Sequence, residues 1–99
     1  MAHFVYRMIP HRATFAFDMS ESEADLMGKH AAYWRDQMDH GRVLVFGPVM
    51  DPAGVWGLGV LVAADEDEAR GLTRADPVIA AGVCTYELHP IDPVIPATS

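Results

Sequence analysis

The sequence has one cysteine, no long apolar run and few basic residues. Because Cys84 stands alone, no intramolecular disulfide can form. No apolar run approaches the roughly 20 residues needed to span a bilayer. The N-terminal residues also lack the basic flank and long apolar core of a signal peptide. These absences predict a soluble protein of the reducing cytoplasm.

Basic side chains are scarce beside acidic ones. Seven Lys and Arg against 14 Asp and Glu give a formal net charge of −7. Because clustered basic side chains supply most of the affinity for phosphate backbones, we expect no nucleic-acid partner and no anionic membrane partner.

Motifs that hold cofactors and metals are lacking too. There is no Gly-rich phosphate loop, no Cys-x-x-Cys and no His-x-x-x-His pair. His30 and His40 would lie about 80° out of line on one helix, too far around to share a tetrahedral ion. We therefore expect neither a cofactor nor a metal.

What is present is the composition of a folded domain. Hydrophobic residues make up 51% of the 99 residues and charged residues 21%, as in ordinary globular proteins. A chain of this length suffices for one modest core. We expect a single domain over residues 1–99, with its core over about 3–90 and a loose, proline-interrupted tail over 91–99.

Hydrophobic spacing and turn residues divide the chain into short elements. The predicted elements are a strand over 3–9, an irregular stretch over 10–20, a helix over 21–40, strands over 43–46 and 55–62, a helix over 66–75, a helical turn over 77–81 and a strand over 83–88. This order predicts an α+β, ferredoxin-like βαββαβ fold with a four-stranded antiparallel sheet and two helices on one face.

The long helix has a marked start and an apolar face. Ser20-x-x-Glu23 and Ser22-x-x-Asp25 both have the spacing of a capping box, so the helix is expected to begin at one of them. Apolar residues at steps of four, three and four predict the stripe that packs on the sheet: Met27, Ala31, Trp34 and Met38.

The two faces of the predicted sheet differ in what covers them. Gly57 and Gly59 lie on one side of the third strand, which indicates a bulge or a close approach by a helix or a ligand. Both sides of the strands carry apolar residues, although the helices cover only one. Since soluble monomers avoid large apolar patches, we expect a homodimer joined through the helix-free face.

Four residues with reactive side chains each allow two interpretations. His30 borders the apolar stripe, where its ring could face a cleft or be purely structural. Asp76 precedes Pro77, so helix capping alone would explain it. Cys84 is better read as a small buried hydrophobe than as a nucleophile. Arg7 could hold a substrate carboxylate from inside the sheet interface or lie at an edge.

Four segments, in their order and spacing over about residues 3–90, resemble the YciI-like (YCII-related domain) family. They are His30-x-x-Tyr33, Gly41-x-x-Leu44-x-Phe46-Gly47-Pro48-Val49, Asp51-Pro52-x-Gly54 followed by Gly57, and Asp76-Pro77 with Ala81-Gly82. The resemblance implies a dimeric α+β barrel like that of muconolactone-isomerase-type proteins. It also implies an active-site pair at His30 and Asp76. One relative removes chloride from a chlorinated hydroxyhydroquinone, and most members have no known substrate.

The resulting hypothesis is a cofactor-independent acid–base enzyme of the lyase or isomerase type. His30 would move a proton on a small organic molecule, with cyclic and phenolic compounds among the candidates, and Asp76 would fix its tautomer and stabilise the imidazolium. The candidate substrate-binding residues are Arg7, Trp34, Phe46, Gly47 and Pro48. The stretch from His11 to Ser22 is longer than in shorter family members and is expected to alter the pocket rim.

Two other functions are compatible with the same residues. The chain could be a non-catalytic module of the same dimeric fold that binds a small molecule or a partner, or a purely structural oligomerisation domain. An enzyme should present His30 at the bottom of a cleft, whereas a structural pair should be sealed beneath side chains and an oligomerisation domain should have no cleft.

Overall fold

The computed structural model describes residues 1–95. Its elements in chain order are β1 (Ala2–Pro10), α1 (Phe15–Asp18), α2 (Glu21–Asp39), β2 (Val43–Val49), β3 (Trp56–Ala63), α3 (Glu66–Arg74), α4 (Pro77–Ala80) and β4 (Cys84–Ile91). No helix among these is long and apolar enough to cross a bilayer.

The strands form one antiparallel sheet in the order β2-β3-β1-β4. This arrangement, with the helices on one face, confirms the predicted ferredoxin-like fold. The last strand is longer than predicted, because β4 continues beyond Leu88 to Ile91, which pairs with His3. Pro90 is tolerated there since β4 is an edge strand, where a missing N–H need not break a ladder on both sides. Of the predicted tail, residues 96–99 lie outside the described part of the chain.

The core lies between the sheet and the helices. Phe4, Tyr6 and Met8 of β1 point towards it from alternate positions and are at most 4% exposed. Trp34 of α2 and Val78 of α4 meet them from the helical layer. Burying side chains of this size stabilises the fold by about 1.5–3 kcal/mol each relative to leaving them in water.

Gly57 and Gly59 face this core, opposite Met8 and Tyr6 on the neighbouring strand. A Cβ at Gly57 would come within 3.2 Å of the Cβ of Met8, and one at Gly59 within 3.3 Å of the Tyr6 ring. The closest neighbours of both glycines are thus side chains of β1, and the approach of a ligand stays a prediction.

The start of α2 is the capping box at Ser20. The backbone N–H of Glu23 donates to Oγ of Ser20 at 3.2 Å, and the N–H of Ser20 donates to Oε1 of Glu23 at 2.8 Å. The stretch before it, predicted as irregular, contains the short helix α1. A four-residue helix has too few positions to show a 3.6-residue period, so the sequence pattern could not reveal it.

The helix-free face of the sheet is divided in character. On β1 and β3 it carries Val5, Leu58, Val60 and other half-buried apolar side chains. Towards β4 it becomes polar, with Glu87 placed opposite Arg7. The apolar part of this face has no covering layer within residues 1–95.

Candidate active site

A cavity of about 410 Å³ opens between the α1–α2 region and strands β1, β2 and β3. Its wall includes five residues of the predicted site: His30, Trp34, Phe46, Gly47 and Pro48. Its volume falls in the range of about 300–1,000 Å³ that small-molecule sites occupy.

Asp76 lies behind this wall as the N-cap of α4 and is fully buried. Its Oδ1 accepts a hydrogen bond from the backbone N–H of Val78 at 3.1 Å. Its Oδ2 accepts three more from Tyr6 OH, His30 Nδ1 and Trp34 Nε1, each at 2.7 Å. The capping role expected of Asp76 and its contact with His30 therefore coexist in one carboxylate.

These contacts keep Asp76 ionised. Burial by itself would raise the pKa of the Asp76 carboxyl, but the hydrogen bond and charge of His30, helped by Trp34 and Tyr6, outweigh it and lower the pKa below its ordinary value. The contact between Tyr6 and Asp76 has the opposite effect on the Tyr6 pKa. Burial and the negative charge of Asp76 raise the pKa of the Tyr6 hydroxyl far above its usual range. Tyr6 therefore acts as a proton-bearing donor.

An ionised Asp76 determines the tautomer of His30. Because the carboxylate can only accept, Nδ1 of His30 carries a hydrogen, and Nε2 of the neutral ring is left with its lone pair. The His30 side chain is 14% exposed. Within residues 1–95, the one buried side-chain nitrogen or oxygen that lacks a partner is Nε of Arg7, so Nε2 of His30 is not sealed off. It is accessible at the cavity wall.

Arg7 lies apart from the other predicted site residues. Side chains alternate along β1, so Arg7 points to the helix-free face while Tyr6 and Met8 point to the core. Its guanidinium lies 4.7 Å from the ring centre of Trp56 and 3.8 Å from the carboxylate of Glu87. The structure does not bring Arg7 together with His30.

The segment between β1 and α2 covers one side of the cavity. Phe15 and Phe17 of α1 both border it, Phe15 being buried and Phe17 exposed. Arg12 ties the segment down by a two-pronged contact with Glu23 at 2.8 Å on each arm and by a 2.8 Å bond to Asp18. The stretch from His11 to Ser22 thus contributes residues to the cavity rim.

Hydrogen bonds also set the charge of the two carboxylates that Arg12 contacts, Glu23 and Asp18. The Arg12 guanidinium, with the N–H of Ser20 and the ring of His11, holds the pKa of Glu23 far below its usual range. The Thr14 hydroxyl and Arg12 likewise lower the pKa of Asp18. Both carboxylates therefore stay ionised at neutral pH.

Several residues of the site were not found from the sequence. Tyr6 was assigned only to a strand, and Trp34 was assigned to the apolar stripe and to substrate binding but not to Asp76, although both donate to that carboxylate. A signal was present: a tyrosine or tryptophan on a buried face must find a partner for its O–H or N–H. No such signal marks Phe15 and Phe17, because they lie in a helix too short to show a period.

Among the described residues, no group of three or more His, Cys, Asp and Glu side chains is placed to hold a metal ion. The fold and the cavity define a small α+β protein of the ferredoxin-like class. The chain belongs to the YCII-related domain family, whose model matches residues 3–92. No curated protein shows significant sequence similarity to it.

The solved structures that resemble the chain include two enzymes. One is 5-chloro-2-hydroxyhydroquinone dehydrochlorinase (TftG) from Burkholderia phenoliruptrix AC1100, in complex with 2,5-dihydroxybenzoquinone. It is 16% identical, with a TM-score of 0.66 over 88% of this chain and 90% of that one. The other is SnoaB, a cofactor-independent oxygenase from Streptomyces nogalater. It is 17% identical, with a TM-score of 0.49 over 99% of this chain and 97% of that one.

Proposed function

We propose that this protein is a cofactor-independent acid–base enzyme of the lyase or isomerase type that acts on a small organic molecule. His30 is the proton-transfer residue, and Asp76 positions it and stabilises its charged form. The single cysteine favours a cytoplasmic location.

The observation that carries the proposal is the state of the two ring nitrogens of His30. Nδ1 is held at 2.7 Å from the buried carboxylate of Asp76, while Nε2 is left free at the wall of a cavity. A neutral imidazole in this tautomer accepts a proton at Nε2, and the resulting imidazolium lies against a negative charge.

The reaction type is inferred from the presence of one base, His30, that can remove a proton and give it back. Nε2 would remove a proton from an acidic O–H or C–H of the substrate, leaving an anion in the cavity. That anion either expels a leaving group, which is elimination, or takes the proton back at another atom, which is isomerisation. General acid–base catalysis of this kind contributes about 10²–10⁴-fold in rate. The ring compound bound by TftG is of a size and type compatible with this chemistry.

The rival proposal is a non-catalytic module that binds a metabolite in the same cavity. It would need His30 and Asp76 only as a structural hydrogen-bonded pair, and such a pair could be sealed beneath other side chains. The access of Nε2 to the cavity favours the enzyme. A purely structural oligomerisation domain is disfavoured by the cavity itself.

Removal of the base tests the proposal. The purified protein would be assayed by chromatography and mass spectrometry against a panel of phenolic, quinol and enol compounds, with and without halogen leaving groups and carboxylates. His30→Ala should lower turnover of any substrate found by about 10²–10⁴-fold. His40→Ala is the matched control, since His40 is exposed at the end of the same helix. Equal turnover by His30→Ala and the parent protein would refute the proposal.

We also propose that the protein is a homodimer joined through the helix-free face of the sheet. Val5, Leu58, Val60 and Val62 form an apolar area there that a second copy would cover. Sedimentation at micromolar concentration should give twice the 10.8 kDa monomer mass. Leu58→Glu should shift the protein towards monomer, and a compact monomer of the unchanged chain would contradict the proposal.

A further inference from the structure

The wall of the cavity contains almost no free polar group. It is formed mainly by apolar side chains, four of them methionines: Met8, Met19, Met27 and Met50. No Lys, Arg, Asp or Glu belongs to the wall within the described residues. Methionine side chains are flexible and polarisable, so such a wall adapts to apolar ligands of differing outline.

The few polar side chains in the wall are already engaged. Tyr6 OH and Trp34 Nε1 both donate to Asp76. Nε1 of Trp56 donates to Oδ2 of Asp51 at 3.1 Å. Nε2 of His30 is thus the one side-chain nitrogen or oxygen of the described wall that remains free to contact a ligand.

Neither Arg7 nor Arg12 belongs to the wall. Arg7 lies on the helix-free face of the sheet, against the ring of Trp56 and near Glu87. Arg12 is bound to Asp18 and Glu23. A protonated His30 would not serve as a counter-charge, because Asp76 at 2.7 Å already balances it. A negatively charged ligand would therefore lose its hydration without gaining a cation.

We infer that the site selects an uncharged, mainly apolar ring compound that presents a single hydroxyl or acidic C–H to Nε2 of His30, and that it excludes carboxylates and phosphates. This inference rests on the proposed function and adds the class of substrate. In such a site, apolar area and shape supply affinity, while one hydrogen bond supplies orientation.

Three probes that share one ring system separate the contributions. Calorimetric titration at neutral pH would compare naphthol, naphthoate and methoxynaphthalene, all substituted at the same ring position. Naphthol should bind roughly 100-fold more tightly than naphthoate, which enters without a cation. It should bind about three- to tenfold more tightly than methoxynaphthalene, which has no proton to donate to Nε2, and His30→Ala should remove that second difference.

A charge placed in the wall should reverse the preference. Met27→Lys adds a cation on α2 at the cavity and should favour naphthoate over naphthol. Ala24→Lys is the matched control, since it adds the same charge to the same helix at an exposed position outside the wall. If Met27→Lys does not fold, the probe comparison on the unchanged chain decides the matter alone.

Tighter or equal binding of naphthoate by the unchanged chain, or no binding of any probe, would overturn the inferred substrate class. Neither result touches the acid–base proposal, which depends on turnover by His30→Ala across a panel that includes charged compounds. Conversely, retained turnover in His30→Ala with a clear preference for naphthol would remove the catalytic role and leave the binding preference in place.

Discussion

Replacing Tyr6 by phenylalanine deletes one of the three side-chain donors to Oδ2 of Asp76 and little else. The ring keeps its place in the core, where Tyr6 is 3% exposed and its centre lies 5.2 Å from that of Trp34. No new donor is left without a partner, because the deleted group is itself the donor. The change therefore isolates one hydrogen bond to a buried carboxylate.

The expected cost follows from the charge of the acceptor. Hydrogen bonds to charged groups contribute about 1.5–3 kcal/mol to stability, and neutral ones about 0.5–1.5 kcal/mol. Tyr33→Phe is the matched control, because Tyr33 OH donates to a neutral backbone carbonyl, that of Leu72, at the same distance of 2.7 Å. Tyr6→Phe should lower the free energy of unfolding by roughly 1 kcal/mol more than Tyr33→Phe.

The difference should depend on pH in a definite direction. Folding lowers the pKa of the Asp76 carboxyl, so its ionised form stabilises the folded state. That stabilisation is fully present above the pKa of the unfolded chain, about 3.9, and is lost as the pH falls through the folded pKa. Tyr6→Phe weakens that contribution. The gap between the two variants should therefore be full at pH 7 and should close only as the pH falls through the folded pKa of Asp76, which lies below its ordinary value.

Urea unfolding, followed by circular dichroism at one protomer concentration, measures the gap at each pH. The slope against urea should stay the same in both variants, so that the midpoint reports stability. Equal losses for the two variants at pH 7, or a gap that widens as the pH is lowered, would refute the assignment of Asp76 as a carboxylate held by three side-chain donors.

Three further outcomes follow from other contacts. Burial raises the pKa of the Cys84 thiol to about 11, so a thiol reagent at pH 8 should modify the unfolded chain readily and the folded chain very slowly; rapid modification of the folded chain would contradict this. Arg12→Ala removes the tether to α2, so amide hydrogen exchange in α1 should accelerate, whereas Arg35→Ala on an exposed part of α2 should leave it unchanged. Gly59→Ala puts a Cβ 3.3 Å from the Tyr6 ring and should destabilise the fold by about 1–3 kcal/mol, and a stabilised variant would show that the ring has room to yield.

Much of the architecture could be predicted because it depends on local signals. Three such signals act within a few residues of the chain. They are the capping box at Ser20, the apolar stripe that includes Trp34, and Gly41 just after α2. The order of elements then restricts the sheet to few arrangements. The contact of His30 with Asp76 was expected only through family resemblance, since 46 positions separate them.

The donors around Asp76 could be placed only by tertiary structure. Tyr6, His30 and Trp34 come from a strand and two turns of a helix, and no spacing rule links them to a residue so far along the chain. Arg7 shows the same limit of prediction from sequence. Side-chain alternation on β1 predicts that Arg7 lies on the face opposite to Tyr6, but it does not predict which of the two faces holds the cavity.

The sequence by itself determined every element except α1, the order of those elements and the apolar character of both sheet faces, because helix caps, turns and hydrophobic periods are properties of neighbouring residues. Only the tertiary structure decided that four donors converge on Asp76 and leave one nitrogen of His30 open to an apolar cavity. The physical reason is that a buried carboxylate must collect its hydrogen bonds from whatever donors the packed layers bring within about 3 Å, and that distance is set by packing between elements and not by position in the chain.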